Sequence, residues 1–400
     1  MKTSKKILSL LLAVIMIVCT APMTFAEGNT YEVGDIIQFG SYPQSEVTDR
    51  ATISVLNSKA PAWDDWISYE YYTYDWNIFS SVQGDWMRYI DVTYNGEKYR
   101  GIRFTKYRSS HTSGASYGGD PCQSNNGYYT DSYYWFKFEP VDWLVIDPAE
   151  GIVLCKNVID SQPYSNTYYI NYSVSDYKYY GFNDLSYSNY ASDYKTSSIR
   201  EWLNNDFYYT AFSGTERDEI ITTTLNNDGY YTSRNKKGYE VFDSETTYDK
   251  IFLLSYNETV KYKSGLGTLM TKGSDYAKSQ GLCPYDTTTS YPSSTYDGYP
   301  DWLLRTPGSH SSSCCSVLYY GSITDTQQVD STEKGIRPAL KLKNVFENSQ
   351  SESSNSGNSS DNCSCMCHKT GFLAIIWKIL NIFNKILKKN YSCACGIAHY

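Results

Sequence analysis

The chain has 400 residues, a formal net charge of -8, and an unusual 42 Tyr against only 20% charged residues. That length is ample for a large hydrophobic core. An acidic balance without clustered Lys and Arg argues against a nucleic-acid partner, because phosphate contacts need concentrated positive charge.

The chain opens on a secretory leader. Lys2, Lys5 and Lys6 precede an apolar run from Ile7 to Val18, and Thr24-Phe25-Ala26 offers a cleavage point after Ala26. The run falls short of the ~20 residues of a membrane-spanning helix. A lipoprotein reading centred on Cys19 is the weaker alternative, because Val18 stands where a small residue is wanted. Loss of three lysines with residues 1–26 takes the net charge from -8 to -11. An extracellular or cell-envelope location follows from this reading.

Residues 27–343 read as one α+β domain. Tyr31–Phe39 is an opening strand, ended by Gly40 and Pro43. Trp135–Phe138 and Trp143–Ile146 are two aromatic, apolar strands on either side of Pro140, and Gly151–Cys155 follows as part of an antiparallel meander. Residues 168–197 are mostly Tyr, Ser, Asn and Asp and read as a long loop. Ser198-Ile-Arg-Glu201 is a capping box, with Ile199, Trp202, Leu203 and Phe207 on one helical face. A second box, Ser213–Glu216, opens a helix that carries Ile220 and Ile221. Ile251–Leu254, Trp302–Leu304, Ser316–Tyr320 and Gly335–Leu342 supply later strands.

A Ser- and Asn-rich linker spans 344–362; seven of the fifteen residues from Asn348 to Asn362 are Ser, too polar to fold. The tail, 363–400, holds five Lys and no acid. Cys363, Cys365, Cys367 and His368 precede an apolar stripe, and Cys393, Cys395 and His399 follow it. Five Cys and two His so close together suit zinc, and disulfides compete because an exported chain permits them. Between the clusters, 372–389 reads as a cationic amphipathic helix that lies on a membrane or envelope surface. It would be about 27 Å long at ~1.5 Å per residue, so one zinc cannot bridge both clusters of a single chain.

Several motifs together resemble the DUF6273 family of uncharacterised bacterial secreted and surface domains. They are Asp35–Gln44, Phe138–Val145 with its Glu-Pro-x-x-Trp pattern, Ser198–Asn204 with Ala211–Ser213, Asp249–Ser255, Trp302–Gly308 and Gly335–Leu340, covering about 35–343. The family is similar in turn to the C-type-lectin-like fold of formylglycine-generating enzymes, through the late Trp-x-x-Arg strand and the Gly-x-Arg close. The resemblance implies a mixed domain with long loops and hands over no catalytic residues. The tail resembles short Cys-rich endings of Gram-positive surface proteins, which implies a retention module.

Candidate chemistry in the body is sparse. Cys314 and Cys315 are adjacent and sit poorly for a copper-binding pair, and the calcium motifs of lectins lack their final oxygen ligands. Glu139 and Asp142 are expected to face different ways on a strand pair. Trp302, Arg305, His310 and Arg337 are the candidate binding residues, with Arg305 and Arg337 also readable as structural ion pairs. The reading is a surface-displayed binding domain for a glycan or protein. The alternative is a secreted enzyme with a cleft near Arg305 and His310.

Overall fold

The computed structural model describes residues 31–75, 80–105, 122–130, 132–165, 191–229, 243–285, 296–309, 313–329 and 331–345. The leader, most of the long loop, all four histidines and the Cys-rich tail lie outside these residues. The chain divides into units of 1–350 and 351–400, and the described residues all belong to the first.

Strand β1 (Ile36–Glu46) runs on past Gly40 and Pro43, where the sequence suggested an end. It continues because its ladder with β5 (Tyr133–Asp147) absorbs both residues in register shifts, one between Gln38 and Ser41 and one between Pro43 and Glu46. Gly40 has φ +70, and a Cβ there would come within 2.6 Å of the Phe212 ring, so the position suits glycine twice over. Helix α1 (Arg50–Lys59) follows, capped by the Asp49 carboxylate on Thr52 N–H. Strands β2 (Ile67–Asp75), β3 (Ser80–Tyr94) and β4 (Glu97–Phe104) then form an antiparallel meander. Asn95 and Gly96, at φ 51 and φ 81, make the two-residue turn between β3 and β4.

The aromatic runs around Pro140 are one strand, not two. β5 pairs with β4 as far as Lys137 and with β6 (Ile152–Cys155) from Trp143 on. Pro140 falls in the stretch between, where the ladder on that side is already interrupted, so its missing N–H is tolerated.

After β7 (Asp160–Ser161) comes the helical block. Helix α2 (Ser198–Trp202) continues through a π-turn at Leu203–Phe207 into α3 (Tyr208–Ala211). Its N-cap is Ser197, one residue earlier than expected, which leaves Glu201 one position too late to reach back. The expected apolar face holds: Ile199, Trp202, Leu203 and Phe207 are all buried. The second box forms as read, Ser213 and Glu216 capping α4 (Gly214–Glu219). Ile220 and Ile221 leave that helix as β8, because they pair with the last strand of the sheet.

Strands β9 (Thr223–Asn227) and β10 (Ser244–Asp249) form a ribbon, and β11 (Ile251–Phe252) leads to α5 (Tyr256–Leu266) and α6 (Asp275–Ser279). The close is β12 (Trp302–Pro307), β13 (Ser313–Val317), β14 (Ile323–Gln328), β15 (Gly335–Ile336) and β16 (Ala339–Leu342). The larger sheet runs β11-β16-β6-β5-β4-β3-β2, with β1 also on β5 and β8 on β16; a five-stranded sheet runs β14-β13-β12-β15-β7. This mixture of helices and more numerous strands is an α+β arrangement.

The main core lies between these sheets and the helical block, and the last turn buries Val345 in it. A smaller core, Leu56, Trp66, Tyr99 and Trp135, sits under α1 on the other face of the β3–β4–β5 region. Gly101 makes room for it, since a Cβ there would lie 2.8 Å from the Trp135 ring.

Candidate binding cleft

The interruption of the β5 ladder creates a cleft of about 740 Å³. Its floor is residues 138–142 of β5. One wall is the β3–β4 turn with Glu97 and Lys98; the other is the chain leaving β6, with Cys155, Asn157 and Ile159. Gln38, Ser41 and Gln44 of β1 close the side.

The charges in the cleft are each engaged by a neighbour. Lys137 lies 2.6 Å from Glu97, Lys98 2.9 Å from Asp91, and Lys156 3.4 Å from Asp142. Hydrogen bonds from Lys137 and then Tyr99 hold the Glu97 carboxyl below the usual carboxylate range. Lys98 also sits 4.0 Å above the Phe138 ring. Glu139 and Asp142 both line the cleft but are held by different partners. Ser45 donates to Glu139 through its N–H and its hydroxyl (3.2 and 2.8 Å), and Gln38 Nε2 donates to Asp142 (3.1 Å). Gln44 Nε2 donates to the carbonyls of Glu139 and Pro140, both at 3.0 Å. The lining is therefore rich in amide and carboxylate oxygens next to fixed N–H donors, with three acids, Glu97, Glu139 and Asp142, against two bases, Lys98 and Lys137.

Cys155 in the wall is a free, buried thiol. Burial pushes its pKa up to about 12, against the pull of nearby Arg337, so it stays protonated at neutral pH and is a poor nucleophile. Cys314 and Cys315 are free and buried too, whereas Cys283 is in a disulfide. Among the described residues no group of three or more His, Cys, Asp and Glu is placed to hold a metal.

A second, smaller polar pocket of about 20 Å³ lies between the sheet and the helical block. Arg100 is buried and forks onto Asp91 (2.8 and 3.0 Å), while Tyr42 donates to buried Asp160 (2.7 Å) and Gln162 Nε2 reaches the same carboxylate (3.1 Å). The space suits a single water with several polar partners.

Trp302, Arg305 and Arg337 are all buried, and each is turned into the fold. Trp302 donates from Nε1 to the Leu269 carbonyl (3.0 Å). Arg305 is clamped from every side: Nη1 and Nη2 fork onto Glu258, Nη1 reaches the Leu253 carbonyl (2.8 Å), Nη2 the Asn226 carbonyl (3.2 Å), and Nε Asn227 (3.1 Å). Burial pushes the Glu258 carboxyl up, but the Arg305 charge and hydrogen bonds outweigh it and hold it below the usual range. Arg305 is thus an internal ion pair, as one of its two readings had it. Arg337 differs. Its Nε donates to the Cys155 carbonyl (2.7 Å) and its guanidinium lies 5.1 Å over Trp302, but Nη1 is buried without a hydrogen-bond partner. No carboxylate among the described residues pairs with it, and burial pushes its pKa down to about 10. His310 and the seven tail residues read as metal ligands lie outside the described residues.

The cleft residues Gln38, Gln44, Lys137 and Asn157 went unseen in the sequence. Two local signals bear on it: the Asn95-Gly96 dipeptide, which marks the hairpin tip, and a proline inside an aromatic strand pattern.

No curated protein and no solved structure matches the chain. Residues 161–344 match the model of a family described as a domain of unknown function, DUF6273. The match starts after β6, so the whole cleft lies before it. The matched segment is nevertheless not a sheet of its own, because its β16 pairs with β6 from outside it. What can be said of kinship is that the second half of the folded domain, from β7 to β16, is similar to DUF6273.

Proposed function

We propose that the folded domain is an exported binding module whose ligand is a neutral glycan, with the tail holding it at the cell envelope. The cleft at the interrupted β5 ladder carries this reading. Its charged side chains are already engaged, so it favours an uncharged ligand. Its amides and carboxylates offer paired donors and acceptors, which suit vicinal hydroxyls. The protonated thiol in its wall supports binding over nucleophilic chemistry. A C-type-lectin-like architecture would be in keeping with this role. Export rests on the leader, and retention rests on the basic, cysteine-flanked tail, which binds zinc or forms disulfides.

The test is calorimetric titration of the full chain with chitohexaose, cellohexaose and maltohexaose. Saturable binding to one of them is expected, weakened by Asn157→Ala, whose side chain is exposed at the cleft wall. Failure of all three to bind the folded protein would sink the glycan reading. Retention is tested separately by fractionating producer cells that carry the full chain or a chain stopped after Gln350. Equal release of both would end the anchoring role.

A further inference from the structure

A cluster of tyrosines adjoins the cleft through shared backbone. At the cleft wall, Thr271 Oγ1 donates to the Lys156 carbonyl (2.7 Å) and lies 3.4 Å from Asn157 Oδ1. Val158 N–H donates to the Lys272 carbonyl and Ser274 N–H to the Val158 carbonyl, both at 3.0 Å, so 271–274 runs beside the wall like an added strand. On its far side Lys272 Nζ donates to the Asp297 carbonyl (3.0 Å) and sits 4.7 Å over the Tyr299 ring.

Tyr299 belongs to a short antiparallel pairing with Tyr285, fixed by bonds of 2.9 Å from Tyr285 N–H to the Tyr299 carbonyl and from Gly298 N–H to the Tyr285 carbonyl. Tyr285 stacks on Tyr319 with centroids 4.2 Å apart and planes within 12°. Tyr319 meets Tyr320 edge-on at 4.9 Å and Tyr296 at 5.8 Å. The turn that presents Tyr319 and Tyr320 is stiff: Tyr319 N–H donates to Asp301 (2.7 Å) and Gly321 closes the turn at φ +84. Tyr320 is 42% exposed. The charges beneath are paired, Asp301 with Lys334 at 2.8 Å.

We propose that this tyrosine platform continues the cleft as one binding track, on which a neutral glycan longer than the cleft passes over 271–274 and stacks its sugar rings on Tyr319 and Tyr320. The inference rests on the glycan reading of the cleft. Each ring supplies a rigid apolar face for the C–H side of a pyranose and a hydroxyl for its rim. Pairing of the local charges favours an uncharged chain, and the 271–274 segment, bonded to the cleft wall on one side and to Asp297 and Tyr299 through Lys272 on the other, joins the two sites.

The test titrates the full chain with chitobiose and chitohexaose, and likewise with the cello- and malto- pairs. For the sugar that binds, the hexamer should bind about tenfold or more tighter than the dimer, the gain of linking two contacts. Tyr320→Ala and Tyr319→Ala should bring that ratio below about threefold while leaving dimer affinity unchanged, and Tyr319→Phe should keep it, because the ring face survives. Asn157→Ala should weaken dimer and hexamer alike. A wild-type ratio near one, or a ratio that survives both alanine variants, would overturn the track while leaving the cleft intact. No binding by any dimer or hexamer would overturn the cleft reading, and the track with it.

Discussion

Replacing Arg305 by alanine should be among the most damaging single changes in the domain. The side chain is 2% exposed and its partner Glu258 26% exposed. Its removal leaves the buried Leu253 carbonyl and Asn227 side chain without their donor, and the partly exposed Glu258 carboxylate without its cation. Breaking a buried pair by deleting one partner costs about 3–5 kcal/mol. Domains are typically stable by about 5–15 kcal/mol, so the variant should still fold, with a much lower denaturation midpoint. The double change Arg305→Met/Glu258→Leu removes both charges and should recover the part of the loss that comes from the stranded Glu258 carboxylate, leaving the cost of the α5 capping box and of the Leu253, Asn226 and Asn227 acceptors that lose Arg305. The pH dependence has a definite sign. Glu258 is depressed in the fold, so its contribution is present above the unfolded carboxylate pKa of about 4.3 and is lost as pH falls through the folded value. Urea denaturation of the three chains at pH 7 and in acid measures all of this. A loss under about 1 kcal/mol for Arg305→Ala at pH 7, or a gap from wild type that does not narrow in acid, would refute the reasoning.

Other outcomes follow from the same geometry. Arg337→Met should cost at least about 2 kcal/mol less than Arg305→Met in the same titration, because Arg337 has no carboxylate to strand among the described residues and already carries an unpartnered Nη1. Gly40→Ala should destabilise by more than about 1 kcal/mol, since φ is +70 and the new Cβ meets the Phe212 ring and the Ala211 carbonyl; a neutral result by thermal melting would contradict the packing of α3 on β1. Ser213→Ala should cost about 1 kcal/mol through loss of the α4 cap, read as a shift in urea midpoint. Cys155, Cys314 and Cys315 should resist alkylation at pH 8 in the native protein and react in denaturant; native labelling of Cys155, followed by mass spectrometry, would show that the cleft wall is open.

Local signals in the sequence were reliable where the interaction that decides them is local. The Ser213–Glu216 box closes a loop of three residues, and it forms as written. The apolar spacing of Ile199, Trp202, Leu203 and Phe207 needs only helical geometry to bury one face, and it does, although the cap beside it moves from Ser198 to Ser197. The third box, Ser255–Glu258, was equally legible but went unread. By contrast, the end of a strand depends on a partner: Gly40 and Pro43 look like stops until β5, about a hundred residues on, accommodates them with shifted register.

The candidate site shows the same division more sharply. Composition and charge disfavour a nucleic-acid partner, and they single out no ligand. Sequence could not tell that Arg305 would find Glu258 while Arg337 would find no carboxylate among the described residues, because each arginine's partners come from strands and helices distant in the chain. Nor could it show the cleft, which is a gap between neighbours: β4 leaves β5 at Lys137 and β6 joins it at Trp143, and only the pairing of three separate strands opens the space between them. Side-chain periodicity is written in each segment by itself, whereas register, and the cavities that register leaves, exist only once the segments have met.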